Sequence, residues 1–268
     1  MTATGAVPTA SREKPAAPLI AIGADGARGG WAAACLYADA PRREDATVWE
    51  TRLELFPGIE ALAAHRQAEG GTAAVAIDVP IGLPDTVEHR ACDKEAIGRL
   101  KGRAKSVFMP PARRLLAAGR EWDALVALVE HERQSNPSAR GLSRQAAGLI
   151  PKIAEVDTWA RAHPDSEHWL WECHPELSFL ALNDGSPLAH DKRSAAGVMK
   201  RLKLIAAEFD DAHDQLAEAQ WPGSRADLTD LVDAYAALST AVVCARGHQE
   251  ELGDGRRDAE GLPMRMAL

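Results

Sequence analysis

Aromatic residues are scarce in this 268-residue chain: seven Trp, four Phe and two Tyr make up 5% of it. No aromatic-rich stretch offers a stacking platform for bases, and Trp159, Trp169 and Trp171 are expected to pack in the core. Cysteine is equally thin. Cys35, Cys92, Cys173 and Cys244 are far apart with no C-x-x-C pair, which argues against a zinc cage or disulfide framework and predicts buried, inert thiols. No apolar run approaches the roughly 20 residues of a bilayer span, so no membrane association is expected. The start, MTATGAVPTASREKPAAP, lacks a basic stretch followed by an apolar one. It does not read as a secretory signal, and the cytoplasm is the expected compartment. A formal net charge of −8 speaks against a general coat on nucleic acid.

What remains is ample: 46% of the residues are hydrophobic, enough for a large core. Residues 1–18 read as an Ala/Pro-rich, disordered lead-in. From Leu19 the pattern runs strand (19–24), turn (GARGG), strand (WAAACLYA) and strand (46–55), then a helix ending at Gly70-Gly71. AVAID (74–78) lacks polar alternation, as expected of a strand buried on both faces. A mostly helical stretch follows (about 86–163), in which Pro151 should start or kink a helix. HWLWECHPE (168–176) returns to strand character, and residues 192–219 and 227–246 read as helices. The order predicts an α/β domain over 19–246 around a mixed five-stranded sheet, with a helical insertion between strands four and five. Residues 247–268 read as a loop-rich tail.

Two apolar strands each end in a lone acid, Asp25 after LIAIGA and Asp78 after AVAI. An unmatched carboxylate in such a setting is costly, and open α/β sheets place ligands at the carboxyl ends of their strands. Asp25-Gly26 is also a turn signal, and Asp78 could bond only to backbone amides. Glu172 closes WLWE in the same way; one of Glu172 and Glu176 is expected to be a further ligand or to position water, and Glu176 after Pro175 also reads as a helix cap. On the last helix Asp227 suits the N-cap position, which covers Asp230 in part. Asp233 lies one turn further in on the same flank as Asp230, where capping does not account for it. Carboxylates gathered from two strands and a late helix suit Mg²⁺ or Mn²⁺. Between Arg90 and Arg114 eight Lys or Arg stand against two acids, a candidate phosphate-binding segment or a solvated helix face.

IGADGARGGW, AVAIDVPIGLP, RACDKEAIGRLKGRAKSVFMPPAR, GLSRQAAGLIPKIAEVD, WECHPELSF and DLTDLVDAYAALSTA occur in this order across residues 20–246. Together they resemble domain-of-unknown-function family 429, described as predicted nucleases with an RNase H-like fold. The resemblance implies metal and catalytic roles for Asp25, Asp78, Asp230 and Asp233, with Glu172 as a further catalytic acid. Ala24 departs from the family, where a β-branched residue is commoner before the first Asp.

The resulting expectation is a metal-dependent nuclease. Two Mg²⁺ ions about 3.5–4 Å apart would bridge Asp25, activating a water and stabilising the leaving oxygen. Arg28, Arg90, Arg103, Arg113 and Lys152 would bind the DNA or RNA substrate, with Lys152 open also to a salt bridge with Glu155 or Asp157. One alternative is a nucleotide-binding phosphotransferase of actin-like type, whose opening strand-Asp-Gly hairpin IGADGARGGW also resembles. Another is a non-catalytic nucleic-acid-binding module.

Overall fold

The computed structural model describes residues 17–38, 49–136, 140–219 and 225–268. The proposed lead-in falls almost wholly outside them, as do residues 46–48 of the expected third strand. Five strands form one sheet: β1 (Leu19–Ala27), β2 (Gly30–Ala38), β3 (Trp49–Phe56), β4 (Ala74–Ile77) and β5 (Leu170–Glu172), in the order β3-β2-β1-β4-β5. β1, β2 and β3 pair antiparallel, whereas β4 and β5 add in parallel. This is the RNase H-like arrangement. β1 and β4 are central and nearly free of polar side chains because both of their faces are covered.

The helices that cover the sheet are α1 (Ile59–Ala68), α2 (Ala91–Leu100), α3 (Trp122–Ser135), α4 (Arg144–Ala162), α5 (Pro175–Leu182), α6 (Ala195–Glu208), α7 (Ala212–Glu218) and α8 (Leu228–Ala245). α2, α3 and α4 lie between β4 and β5 in sequence, with short 3₁₀ turns at 101–106 and 113–118. One face of the sheet packs Ile22, Val75 and Ile77 against Ile59, Leu62, Ile153 and Val156 of α1 and α4. The other packs Ala21, Ala34 and Ala76 under α8, joined by Phe179, Ile205 and Phe209. Small residues on this face let α8 come close. Gly23 is the extreme case, since a Cβ there would stand under 3.0 Å from the backbone of Ala234 and Leu238.

By length and composition α8 could cross a bilayer, with 18 residues and a mean hydropathy of 1.4, yet 67% of it is buried inside the fold. Its apolar character serves the core. Trp31, Trp159 and Trp171 are buried as well, and Trp169 packs partly against the same core as Trp159. All four cysteines are free and buried.

Two expectations need correction. Pro151 does not start a helix, because α4 begins at Arg144 and holds it inside, the position of the expected kink and not of the expected start. An exposed ring can be carried there, at the cost of the helical donor that the Ala147 carbonyl would otherwise receive. Residues 247–268 are not a tail beyond the domain. β6 (Glu251–Leu252) pairs with β7 (Met266–Ala267), Leu252 and Met266 are buried beside α2, and Asp258 accepts from the Leu83 amide at 2.8 Å.

Candidate active site

The parallel register explains how acids 53 positions apart meet. Ala24 of β1 stands beside Ile77 of β4, and the Asp78 amide donates to the Ala24 carbonyl at 2.9 Å. The next step along both strands places Asp25 and Asp78 side by side at the carboxyl edge of the sheet. Side chains alternate between faces along a strand. Ala24 and Ile77 turn toward α1 and α4, so Asp25 and Asp78 turn toward α8. There Asp233, 3% exposed, projects from the first turns of α8. Asp25, Asp78, Asp230 and Asp233 line one cleft of about 540 Å³.

The electrostatics are those of carboxylates short of positive charge. Burial, then repulsion from Asp78, Asp233 and Asp230, holds the Asp25 carboxyl well above the usual carboxylate range. Burial raises Asp78 to about 6, with His174 opposing and Asp233 adding, and its carboxyl lies within hydrogen-bonding reach of Asp25. Burial also lifts Asp233, against the pull of Lys192. The Lys192 ammonium sits 2.6 Å from Asp233 Oδ2, an ion pair in which the carboxylate is the buried partner.

Asp230 has a double duty. Asp227 caps α8 by accepting from the Thr229 and Asp230 amides, and Asp230 Oδ2 accepts from the Asp227 amide at 3.0 Å. This is a capping box, so one oxygen of Asp230 is committed while the residue still borders the cleft.

Basic and polar residues complete the lining. Among them are Arg103, Lys105 and Ser106 of the 101–106 turn, Gln145 of α4, and His174 with Glu176 at the start of α5. His174 Nδ1 accepts from the Glu176 amide at 3.2 Å, which leaves Nε2–H to donate to the Ser106 carbonyl at 3.3 Å. Glu176 does not cap α5; His174 does. The Glu176 carboxylate is held by Arg201 at 2.5 Å and Arg103 at 3.4 Å.

Several expected site residues lie elsewhere. Glu172 is one register row short of the cleft, opposite Ile77 on β5, so the pleat aims it at the other face. Its carboxylate pairs with Arg90 at 2.5 Å and accepts from the Ile81 amide at 2.7 Å. Arg90 also binds Asp93 and the Ile81 and Gly82 carbonyls, and with its side chain 1% exposed it has no donor to spare for substrate. These two residues fix the loop after Asp78 instead. Arg113 joins Asp157 of α4 at 2.7 Å to Asp258 of the C-terminal segment. Lys152 donates to the Gly30 carbonyl at 2.7 Å and lies 3.9 Å from Glu155. Arg28 is exposed in the β1–β2 turn. Of the proposed substrate-binding residues, only Arg103 lines the cleft.

Removing the charge of Glu172 should therefore act on stability. We expect Glu172→Ala to lower the unfolding free energy by roughly 2 kcal/mol, because it leaves the buried Arg90 and Ile81 donors without their acceptor. Urea denaturation checks this, and a shift under about 0.5 kcal/mol, as for a surface pair, would contradict the buried network.

The donor chemistry fits a hard divalent cation, since the acids of the cleft are all oxygen donors whose ionisation such an ion would favour. Among the described residues no three His, Cys, Asp or Glu side chains are placed so that together they could hold a metal ion. Lys192 occupies Asp233, the capping box takes one oxygen of Asp230 and the Gly26 amide one oxygen of Asp25 at 2.8 Å, which leaves Asp78 and the second oxygens of Asp25 and Asp230 for an ion. Sequence reasoning missed Lys192, Lys105 and the place of His174 on the cleft wall. Lys192 lies in a polar loop, HDKRS, where no spacing marks it.

The sequence model of the family described as protein of unknown function (DUF429) matches residues 23–258. No curated protein and no solved structure matches the chain.

Proposed function

This chain belongs to the DUF429 family, and we propose that it is a metal-dependent nuclease hydrolysing phosphodiester bonds in DNA or RNA. One observation carries the reading. Asp78 follows β4, Asp25 lies beside it on the parallel neighbour β1, and both face Asp233 in a cleft that Arg103 and Lys105 also line. Mg²⁺ or Mn²⁺ held by Asp25 and Asp78 would supply Lewis acidity at a phosphoryl oxygen and a water of lowered pKa for in-line attack. Arg103 and Lys105 bind the nucleic-acid backbone in the cleft. Lys192 neutralises Asp233, so that a phosphate can approach an otherwise repellent floor. His174 keeps the 101–106 turn against the start of α5 and so sets the width of the cleft.

The basic segment 90–114 contributes less to substrate binding than its composition suggests. Arg90, Arg99, Arg113 and Arg114 have close acidic partners within the fold, and of the basic residues in this segment Arg103, 3.4 Å from Glu176, and Lys105 line the cleft. Few phosphate contacts remain, and the salt dependence of binding should be correspondingly shallow.

The test is cleavage of single-stranded and duplex DNA and RNA with Mg²⁺ or Mn²⁺, repeated in EDTA and with Asp25→Asn. We expect cleavage that both EDTA and the substitution abolish. Cleavage indifferent to either would overturn the proposal. ATP hydrolysis without polynucleotide cleavage would move the reading to a phosphotransferase. Chelator-independent binding without cleavage would move it to a non-catalytic module.

A further inference from the structure

Lys192 stands where a cation is needed. Its Nζ lies 2.6 Å from Asp233 Oδ2, on a carboxylate whose side chain is 4% exposed. The loop that carries it is pinned. The Ser194 amide and hydroxyl donate to the Asp191 carbonyl at 3.0 and 2.8 Å, the Arg193 amide donates to Asp191 Oδ1 at 2.9 Å, and Ser194 caps α6 through the Gly197 amide. Gly197 lets this turn lie flat on the helix, because a Cβ there would meet the Asp191 carbonyl under 3.0 Å away. The ammonium is thus delivered to Asp233 by a built backbone.

Charge supports the same view. Four Asp line the cleft, and Lys192 answers one of them at ion-pair distance, which leaves Asp25, Asp78 and Asp230 to a divalent ion with Arg103 and Lys105 nearby. A second divalent ion would have to share Asp233 with Nζ, against like-charge repulsion at ion-pair distance.

We propose that Lys192 is a built-in cation filling the second of the two expected metal positions, so that the cleft takes one divalent ion, at Asp25 and Asp78. This rests on the nuclease reading, in which those acids hold a metal. It replaces the two-ion arrangement implied by the family resemblance with one metal ion and one ammonium. Lys192 then acts on the phosphate from the Asp233 side, where it is fixed in place whatever the metal concentration.

The experiment counts ions rather than turnover. Mn²⁺ is titrated into the full chain and the bound fraction read from the loss of the free-ion electron paramagnetic resonance signal. Wild type is expected to bind one Mn²⁺ per chain, and Lys192→Met two, because Asp233 is then released. Lys192→Arg, which keeps the charge, is expected to stay at one. Two ions bound to wild type would overturn the lysine proposal and leave the nuclease reading standing, as would one ion bound to a folded Lys192→Met. No ion bound to wild type would remove the nuclease reading and the lysine proposal with it. Should Lys192→Met fail to fold, the wild-type count and Lys192→Arg decide: one ion in each supports the proposal.

Discussion

Gly23→Ala is expected to cost more than about 4 kcal/mol, beyond the range of ordinary point substitutions, and to leave little folded protein at ambient temperature. The atoms that a Cβ at this position would strike are the Leu238 amide nitrogen, the Leu238 Cα and the Ala234 carbonyl oxygen, each under 3.0 Å away. All belong to the backbone of α8, so no rotamer change relieves the overlap and the helix must lift from the sheet. Overpacking that side chains can absorb costs about 1–3 kcal/mol; a helix lifted along its length also gives up the contacts of Val232, Tyr235 and Leu238 with the sheet. The site moves with it, because Asp233 precedes Ala234 and depends on the same close approach to face Asp25. Gly26→Ala is the control, since its nearest contacts would be side-chain atoms at 3.8 and 3.9 Å. Chemical denaturation of both variants decides the matter. A Gly23→Ala protein within about 1 kcal/mol of wild type would mean that α8 does not sit where the structure has it.

The sheet was readable because its central strands are short apolar runs, and the two acids were readable because each interrupts such a run. Asp25 and Asp78 stand out in LIAIGAD and AVAID for a reason that needs no knowledge of the partner strand. Glu172 satisfied the same pattern and yet lies elsewhere. The deciding fact is register parity: Glu172 pairs with Ile77, not with Asp78, and one residue of offset turns a side chain to the other face. Long-range pairing of this kind is not written in the local pattern. The basic segment failed for a related reason. Composition counts charges without their partners, and Arg90 finds Glu172 82 positions away while Arg113 finds Asp258 145 positions away. Lys192 shows the converse, since a residue in an unremarkable polar loop becomes part of the site only when α6 and α8 are packed together.

Replacing Asp78 by Asn is expected to stabilise the cation-free protein at pH 7.5 and to abolish its response to divalent ions. In the folded protein burial lifts Asp78 from its ordinary 3.8 to about 6, so the folded state holds this proton more tightly than the unfolded chain does. The stability tied to that proton is fully present below the unfolded value and is lost as pH rises through the window from about 4 to about 6. A shift of this size corresponds to up to about 3 kcal/mol. Asn carries no charge at any pH. The variant should therefore match wild type near pH 4 and exceed it at pH 7.5, with Asp25 also relieved of its largest repulsion. Mn²⁺ supplies the missing positive charge by another route, so it should raise the melting temperature of wild type at pH 7.5 but scarcely at pH 4.5, where protons already do so. Melting curves of both proteins across pH 4–8, in EDTA and with Mn²⁺, test each part. A difference between the two proteins that stays flat over the window, or an Asp78→Asn protein that still gains stability from Mn²⁺, would show that the carboxylates are not held in mutual repulsion in one cleft. That repulsion is what a bound cation relieves, and an affinity for metal at this place follows from it without a preformed cage.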